Sequence, residues 1–145
     1  MKELKFRAWD KVTKRYYAVS GLEYDNDGNL CEVYLAGIQI SESDPYANVR
    51  KPSDVILEQD TGLKDQNGKK IYEGDVVQCY DPRYKSTDKR FGGPSVVDRF
   101  FSDIFDYEIL GNIHENPELC GKKKAEEAIK FIAELNRVEL KRKEQ

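Results

Sequence analysis

The sequence predicts a mainly β protein, built from small curved sheets or a pseudo-barrel with SH3-like elements, that ends in a single α-helix. Short segments at 4–8 and 107–113 alternate apolar and polar residues, which favours strands with one buried face. Polar turns that contain glycine separate the alternating segments, as in hairpins. From residue 122 onward the apolar spacing becomes that of an amphipathic helix.

Between the first and last of these strands, the same criteria predict further strands joined by turns. The segment 36–40 is a short strand or bulge, and 41–53, which has two prolines and no period, is a surface loop. Residues 96–105 are a strand followed by one or two short helical turns. The remaining predicted strands are 15–19, 22–24, 30–35, 54–59 and 76–80.

The most distinctive segment is the turn system at 59–77, which feeds a buried strand. Asn67 and Gly68 at its centre tolerate two successive positive φ angles, which predicts a type I′ hairpin turn. A second turn, at 25–29, superficially resembles a calcium loop. Its twelfth position would be Tyr34 instead of glutamate and its flanks read as strands, so a hairpin centred on Asp27 and Gly28 is favoured.

The C-terminal helix is predicted from Lys122 to about Arg142, with an earlier helix start at Asn116 and Pro117 that Gly121 interrupts. Its apolar stripe either packs back on the sheet or pairs with a helix of another copy. The stripe is the candidate oligomer face, and it consists of Ala125, Ala128, Ile129, Ile132, Leu135 and Val138.

A chain of 145 residues predicts one domain, divided into a β domain at 1–120 and the helical appendage at 121–145. There are 24 Lys and Arg against 27 Asp and Glu, for a net charge of −3. No overall field therefore attracts nucleic acid or an anionic membrane. Neither a signal peptide nor an apolar run of transmembrane length is present, so the chain is expected to stay in the cytoplasm.

Cysteine and histidine usage gives no metal site, no cofactor and no catalytic residue. Cys31, Cys79 and Cys120 are far apart and lack Cys-x-x-Cys spacing, so they are expected to be reduced thiols. The single histidine, His114, follows a strand and has no nucleophile motif directed to it. The carboxylates are expected in turns and on helix surfaces.

A basic and aromatic loop at 81–94 is the best candidate for nucleic-acid contact. It carries four basic residues against two acidic ones, interleaved with aromatic rings and hinged by two glycines. Cations contact phosphates and aromatic rings stack on unpaired bases, but a solvated hairpin loop, or one ordered only by a neighbouring subunit, is the favoured interpretation of the segment. The candidate residues are Arg83, Tyr84, Lys85, Lys89, Arg90 and Phe91.

Three separated motifs resemble the YopX-like family of bacteriophage and prophage proteins. They are KFRAWD at 5–10, TGLKD with NGK and IYEGDV across 61–76, and GNIHENPEL at 111–119, in the order that family has. The resemblance implies a mostly β fold of small, split or pseudo-barrel sheets assembled into a homo-oligomer in a bacterial host. It carries no established activity, and therefore no catalytic residues.

Three functional hypotheses follow. The first is a phage- or prophage-encoded, homo-oligomeric and non-enzymatic binding or assembly protein. The second is a nucleic-acid-associated protein that uses the loop at 83–91. The third is a metal-dependent hydrolase or nuclease built on surface carboxylates and His114.

Overall fold

The computed structural model describes residues 5–83 and 90–141, and of residue 91 the backbone alone. The described chain packs into two compact units. The first contains the residues up to Glu58 together with those from Phe131 onward, and the second contains those from Gln59 to Lys130. The division into a β domain at 1–120 and a helical appendage at 121–145 stays a prediction.

The first unit is a curved sheet whose strands lie in the order β4-β3-β2-β1-β5. Pairing is antiparallel between β1 and β2, β2 and β3, and β3 and β4. Its strands are β1 Phe6–Asp10, β2 Arg15–Tyr24, β3 Leu30–Leu35, β4 Val49–Arg50 and the start of β5 Val55–Lys64. The core of this unit comprises Ala8, Val33, Leu35, Val55, Leu57 and Leu140.

In the second unit, the later part of β5 pairs with β6, and β7 lies between β8 and β9, all antiparallel. The core of this unit comprises Ile71, Val77, Cys79, Val97 and Tyr107. The helix α1 begins among its residues, and the boundary between the units falls within the helix, after Lys130. The elements are β6 Lys70–Tyr72, β7 Asp75–Tyr80, β8 Arg90–Val96, β9 Asp106–Asn112 and α1 Lys122–Glu139.

The predicted fold class is confirmed as mainly β with a C-terminal helix, but the sheets are not closed into a barrel. Both β8 and β9 remain edges of their three-stranded sheet, and β4, only two residues long, ends the other. Two local predictions are wrong. Residues 36–40 form no strand, and residues 97–105 form turns without a helix. Ile40, Phe100 and Ile104 are more than half exposed, so these segments do not bury the continuous apolar face that the predictions assumed.

The type I′ prediction at 67–68 is also wrong. Only Gly68 has a positive φ there, at 80°. The Asp65 carboxylate accepts hydrogen bonds from the backbone N–H groups of Asn67 and Lys69, both at 2.9 Å. These bonds favour a turn in which a single glycine is left-handed. Asp25 builds the same turn in the hairpin between β2 and β3.

The helix start differs from its prediction as well. Asn116 precedes a short 3-10 turn, Pro117–Leu119, without capping it. Its side-chain oxygen accepts instead from the backbone N–H of Asn112, at 3.2 Å. Gly121 has a positive φ of 94° and interrupts the helical conformation, as predicted. The helix α1 begins at the following residue.

Gly111 provides a test of the packing between the end of β9 and the turn that follows. A Cβ atom added at Gly111 would lie 2.7 Å from Asn116 Cγ and 2.9 Å from Leu119 Cδ1. We expect Gly111→Ala to lower the free energy of unfolding by about 1–3 kcal/mol, as measured by urea denaturation. Gly93→Ala is the matched control, because nothing lies within 4 Å of its added Cβ. Equal stability of the two variants would contradict the close contact.

Candidate functional site

The first motif builds a buried ion pair in the first unit. Arg7 Nε donates to Glu58 Oε1 at 2.9 Å, and the Tyr16 hydroxyl donates to the same oxygen at 3.0 Å. The Arg7 guanidinium lies 4.1 Å from the centre of the Tyr16 ring, and Trp9 meets that ring edge-on at 5.1 Å. Because Glu58 has no exposed surface, these contacts take the place of the hydrogen bonds that its carboxylate would make with water.

Asp10, at the end of β1, forms a second buried pair in the same unit. Its carboxylate accepts from Arg50 Nε at 2.9 Å and Nη2 at 3.2 Å, and from the Thr13 hydroxyl at 2.7 Å. Burial raises the pKa of Asp10, but the hydrogen bonds from Arg50, Thr13 and the Val12 backbone outweigh burial and hold that pKa below its ordinary value. The pair is therefore ionised at neutral pH.

A third pair lies in the second unit. Arg99 Nε donates to Glu73 Oε2 at 2.7 Å and Arg99 Nη2 donates to Oε1 at 3.0 Å. The side chains are 4% and 1% exposed, and the backbone N–H of Gln59 adds a further bond to Glu73 at 3.0 Å. This two-pronged geometry is the strongest form of a carboxylate–arginine contact.

The three pairs correct the sequence-based expectation that the carboxylates lie in turns and on helix surfaces. Asp10, Glu58 and Glu73 are fully buried. The available signal was that each adjoins an apolar run, and that two of them stand in the resembled motifs. Their partners could not be inferred, since the paired residues are 40, 51 and 26 positions apart.

The predicted nucleic-acid loop is described only at its ends. Arg83 binds the Asp81 carboxylate, with its Nη2 atom 2.6 Å from Oδ2. Arg90 begins β8, and the backbone of Phe91 pairs with Cys79. The role of the loop stays a prediction. The other three candidate residues lie outside the described part of the chain: Tyr84, Lys85 and Lys89.

The helix carries two apolar faces where the sequence predicted one. The inner face, defined by Ala125 and Ile132, is buried, and so is Leu140 immediately after the helix. The outer stripe, defined by Phe131, Leu135 and Val138, contains side chains that are 51% exposed at Phe131 and 66% exposed at Val138. The predicted stripe thus drew members from both faces, with Ala128, Ile129 and Leu135 half-buried.

Phe131 was missed by the sequence prediction, although its spacing of four and seven residues to Leu135 and Val138 was the available signal. The buried positions Ala125 and Ile132 are not accessible to another copy of the chain, whereas the outer stripe is. The use of this helix in an oligomer stays a prediction.

A cavity of about 440 Å³ in the second unit is lined by Cys79 and by aromatic side chains, among them Phe100, Phe101 and Tyr107. Burial raises the pKa of the Cys79 thiol, so it is protonated and a poor nucleophile at neutral pH. Cys31, Cys79 and Cys120 are all free, as predicted.

His114 lies in the turn after β9, where its backbone N–H donates to Asn112 Oδ1 at 3.0 Å. Across residues 5–83 and 90–141, no three His, Cys, Asp or Glu side chains are grouped as metal ligands. None of the helices found there has both the length and the apolar character needed to cross a bilayer.

Comparison with known proteins gives a family match and a solved structure. Residues 5–120 match the model of the YopX protein family. The chain is similar to protein EF1440 from Enterococcus faecalis, whose crystal structure superimposes with a TM-score of 0.52 at 26% identity. The match covers 82% of this chain and 99% of that one. No curated protein matches the chain.

Proposed function

The chain belongs to the YopX protein family, and we propose that it is a phage- or prophage-encoded protein that acts in the cytoplasm of its bacterial host. It assembles into homo-oligomers and works by binding instead of catalysis. The observation that carries the proposal is the outer stripe of α1, with Phe131 and Val138 more than half exposed.

An amphipathic helix on a globular protein needs one apolar face, and the inner face of α1 already meets that need. The outer stripe exposes further apolar surface, and burying a side chain of this size is worth about 1.5–3 kcal/mol. Its spacing of four and three residues is that of the seam between two packed helices. A second copy of the helix supplies the matching seam.

The charges along α1 do not decide the direction in which two copies pair. Lys122, Lys123 and Lys124 are followed by Glu126 and Glu127, and Arg137 lies between Glu134 and Glu139. The expected assembly is a symmetric dimer, in which the same surface is used twice.

Light scattering after size-exclusion chromatography tests this proposal. At about 50 µM, a concentration well above the dissociation constant expected for a specific dimer, the chain should elute with twice its mass of 16.8 kDa. The double variant Phe131→Lys/Val138→Lys should be monomeric. Its dissociation constant should rise at least about a hundredfold, because buried apolar area is lost and like charges oppose each other.

The matched control replaces two equally exposed apolar side chains away from the helix. Val12 is 63% exposed and Tyr46 is 75% exposed, and both belong to the first unit. Val12→Lys/Tyr46→Lys makes the same change in charge and should remain dimeric. A monomeric unmodified chain, or a dimer that survives the helix variant, would reject assembly through the outer stripe.

A further inference from the structure

The first unit contains a cavity of about 310 Å³ with an apolar floor. Leu30 of β3, Val55 and Leu57 of β5, and Leu140 after α1 contribute to its lining. Asn136 holds one wall in place, because its side-chain amide donates to the backbone oxygen of Leu57 at 2.7 Å. The volume lies at the small end of the range of ligand sites, about 300–1,000 Å³.

The charged residues that line the cavity are all cationic. Arg137 and Lys141 both contribute to the lining, and none of the twelve lining residues is a carboxylate. This excess of two positive charges occurs in a chain whose net charge is −3. Arg137 contacts Glu134 on the helix surface, with both side chains more than 60% exposed. Such exposed pairs are weak, so the guanidinium can turn to another anion at little cost.

We propose that this cavity binds a small carboxylic acid with an apolar body, such as a medium-chain acyl or aryl acid. The apolar body occupies the floor formed by the leucine and valine side chains, and the carboxylate lies between Arg137 and Lys141. Guanidinium groups bind carboxylates through charge-assisted hydrogen bonds. The nearby C-terminal end of α1 opposes an anion with about half a charge, which is less than the two cations supply.

The site is separate from the outer stripe, because Phe131, Leu135 and Val138 are not among the residues that line the cavity. The proposal of ligand binding and the proposal of oligomer formation can therefore be tested independently. A chain that proves monomeric still permits the carboxylate site, and a dimer without ligand binding removes only the site.

Isothermal titration with three probes that share an eight-carbon chain tests the proposal on the full chain. Octanoate, octanol and octylammonium carry an anionic, a neutral and a cationic head group on alkyl chains of nearly equal length. Octanoate is expected to bind at least about tenfold more tightly than octanol, and octylammonium more weakly than either, because the head group meets two cations. Failure of octanoate to bind at millimolar concentration, or equal affinity for octanoate and octylammonium, would overturn the proposal.

Two variants locate the binding site. Arg137→Glu is expected to weaken octanoate binding at least about tenfold, whereas Arg15→Glu makes the same charge change on an exposed residue outside the lining and should leave it unchanged. Ala133→Trp fills the cavity from an exposed helix position and should abolish binding of both octanoate and octanol. Equal loss in Arg137→Glu and Arg15→Glu would show nonspecific charge attraction, and unchanged affinity in Ala133→Trp would place the ligand elsewhere.

Discussion

Replacing Glu73 by alanine is expected to lower the free energy of unfolding by about 3–5 kcal/mol. The change removes both oxygens that bind Arg99, whose side chain is only 4% exposed, and leaves its charge buried without this carboxylate. The backbone N–H of Gln59 loses its acceptor as well. A buried charge that loses its counter-ion costs much more than the intact pair contributed, because water does not replace the lost contact.

Urea denaturation followed by far-ultraviolet circular dichroism measures this effect. Glu118→Ala is the matched control, since that carboxylate is exposed in the 3-10 turn, and its change should stay within about 0.5 kcal/mol. The double variant Glu73→Ala/Arg99→Leu should recover part of the loss, because it removes the buried guanidinium together with the carboxylate. If Glu73→Ala were as stable as the control, the buried pair would be absent in solution.

Arg50→Ala is expected to produce a loss of similar size in the first unit, about 3–5 kcal/mol at pH 7. Asp10 has no exposed surface, and the change removes its bidentate partner while the weaker bonds from Thr13 and Val12 remain. The fluorescence of Trp9, the only tryptophan in the sequence, reports on this unit because Trp9 lies in β1 and its ring packs against Tyr16 of β2. Arg15→Ala, at an exposed arginine on β2, is the control and should change stability little.

The same variant has a predictable pH dependence. The pKa of Asp10 is lowered in the folded chain from its ordinary value of 3.8, so its ionised form stabilises the fold fully above that value. This contribution is lost as the pH falls below 3.8 and through the lowered pKa. The stability difference between the unmodified chain and Arg50→Ala should therefore be constant near neutrality. It should narrow as the pH falls from the pKa of Asp10 in the variant, which lacks the lowering contacts with Arg50, to the lowered pKa of Asp10 in the unmodified chain. A difference that widened on acidification would contradict an ionised Asp10.

The buried pairs explain why the family motifs reveal architecture more readily than activity. Arg7 and Asp10 stand in the first motif and Glu73 in the second, and all three side chains are used in internal contacts. In this chain these residues therefore serve the packing within the two units. The surfaces offered for binding, the outer stripe and the small cavity, draw mainly on residues outside those motifs.

The positions of most strands and of the helix were predictable because their signals are local. Alternation gave β1 and β9, and the glycine-containing turn at 25–29 gave the hairpin between β2 and β3. The predictions failed at 36–40 and 97–105, where the local pattern indicated regular elements but apolar side chains such as Ile40, Phe100 and Ile104 are more than half exposed. The turn type at Gly68 failed because the Asp65 side chain, and not the Asn-Gly pair, fixes its geometry.

By itself, the sequence determined that the chain is mainly β with a terminal helix and that it belongs to its family. Both conclusions depend on periodicity and short motifs, which are properties of residues close together in the sequence. The tertiary structure decided which carboxylates are buried, because Asp10 meets Arg50 and Glu58 meets Arg7 only when distant segments come together. It also decided which side of α1 is already covered. Periodicity shows that a face is apolar, but only packing shows whether the chain itself or another molecule covers it.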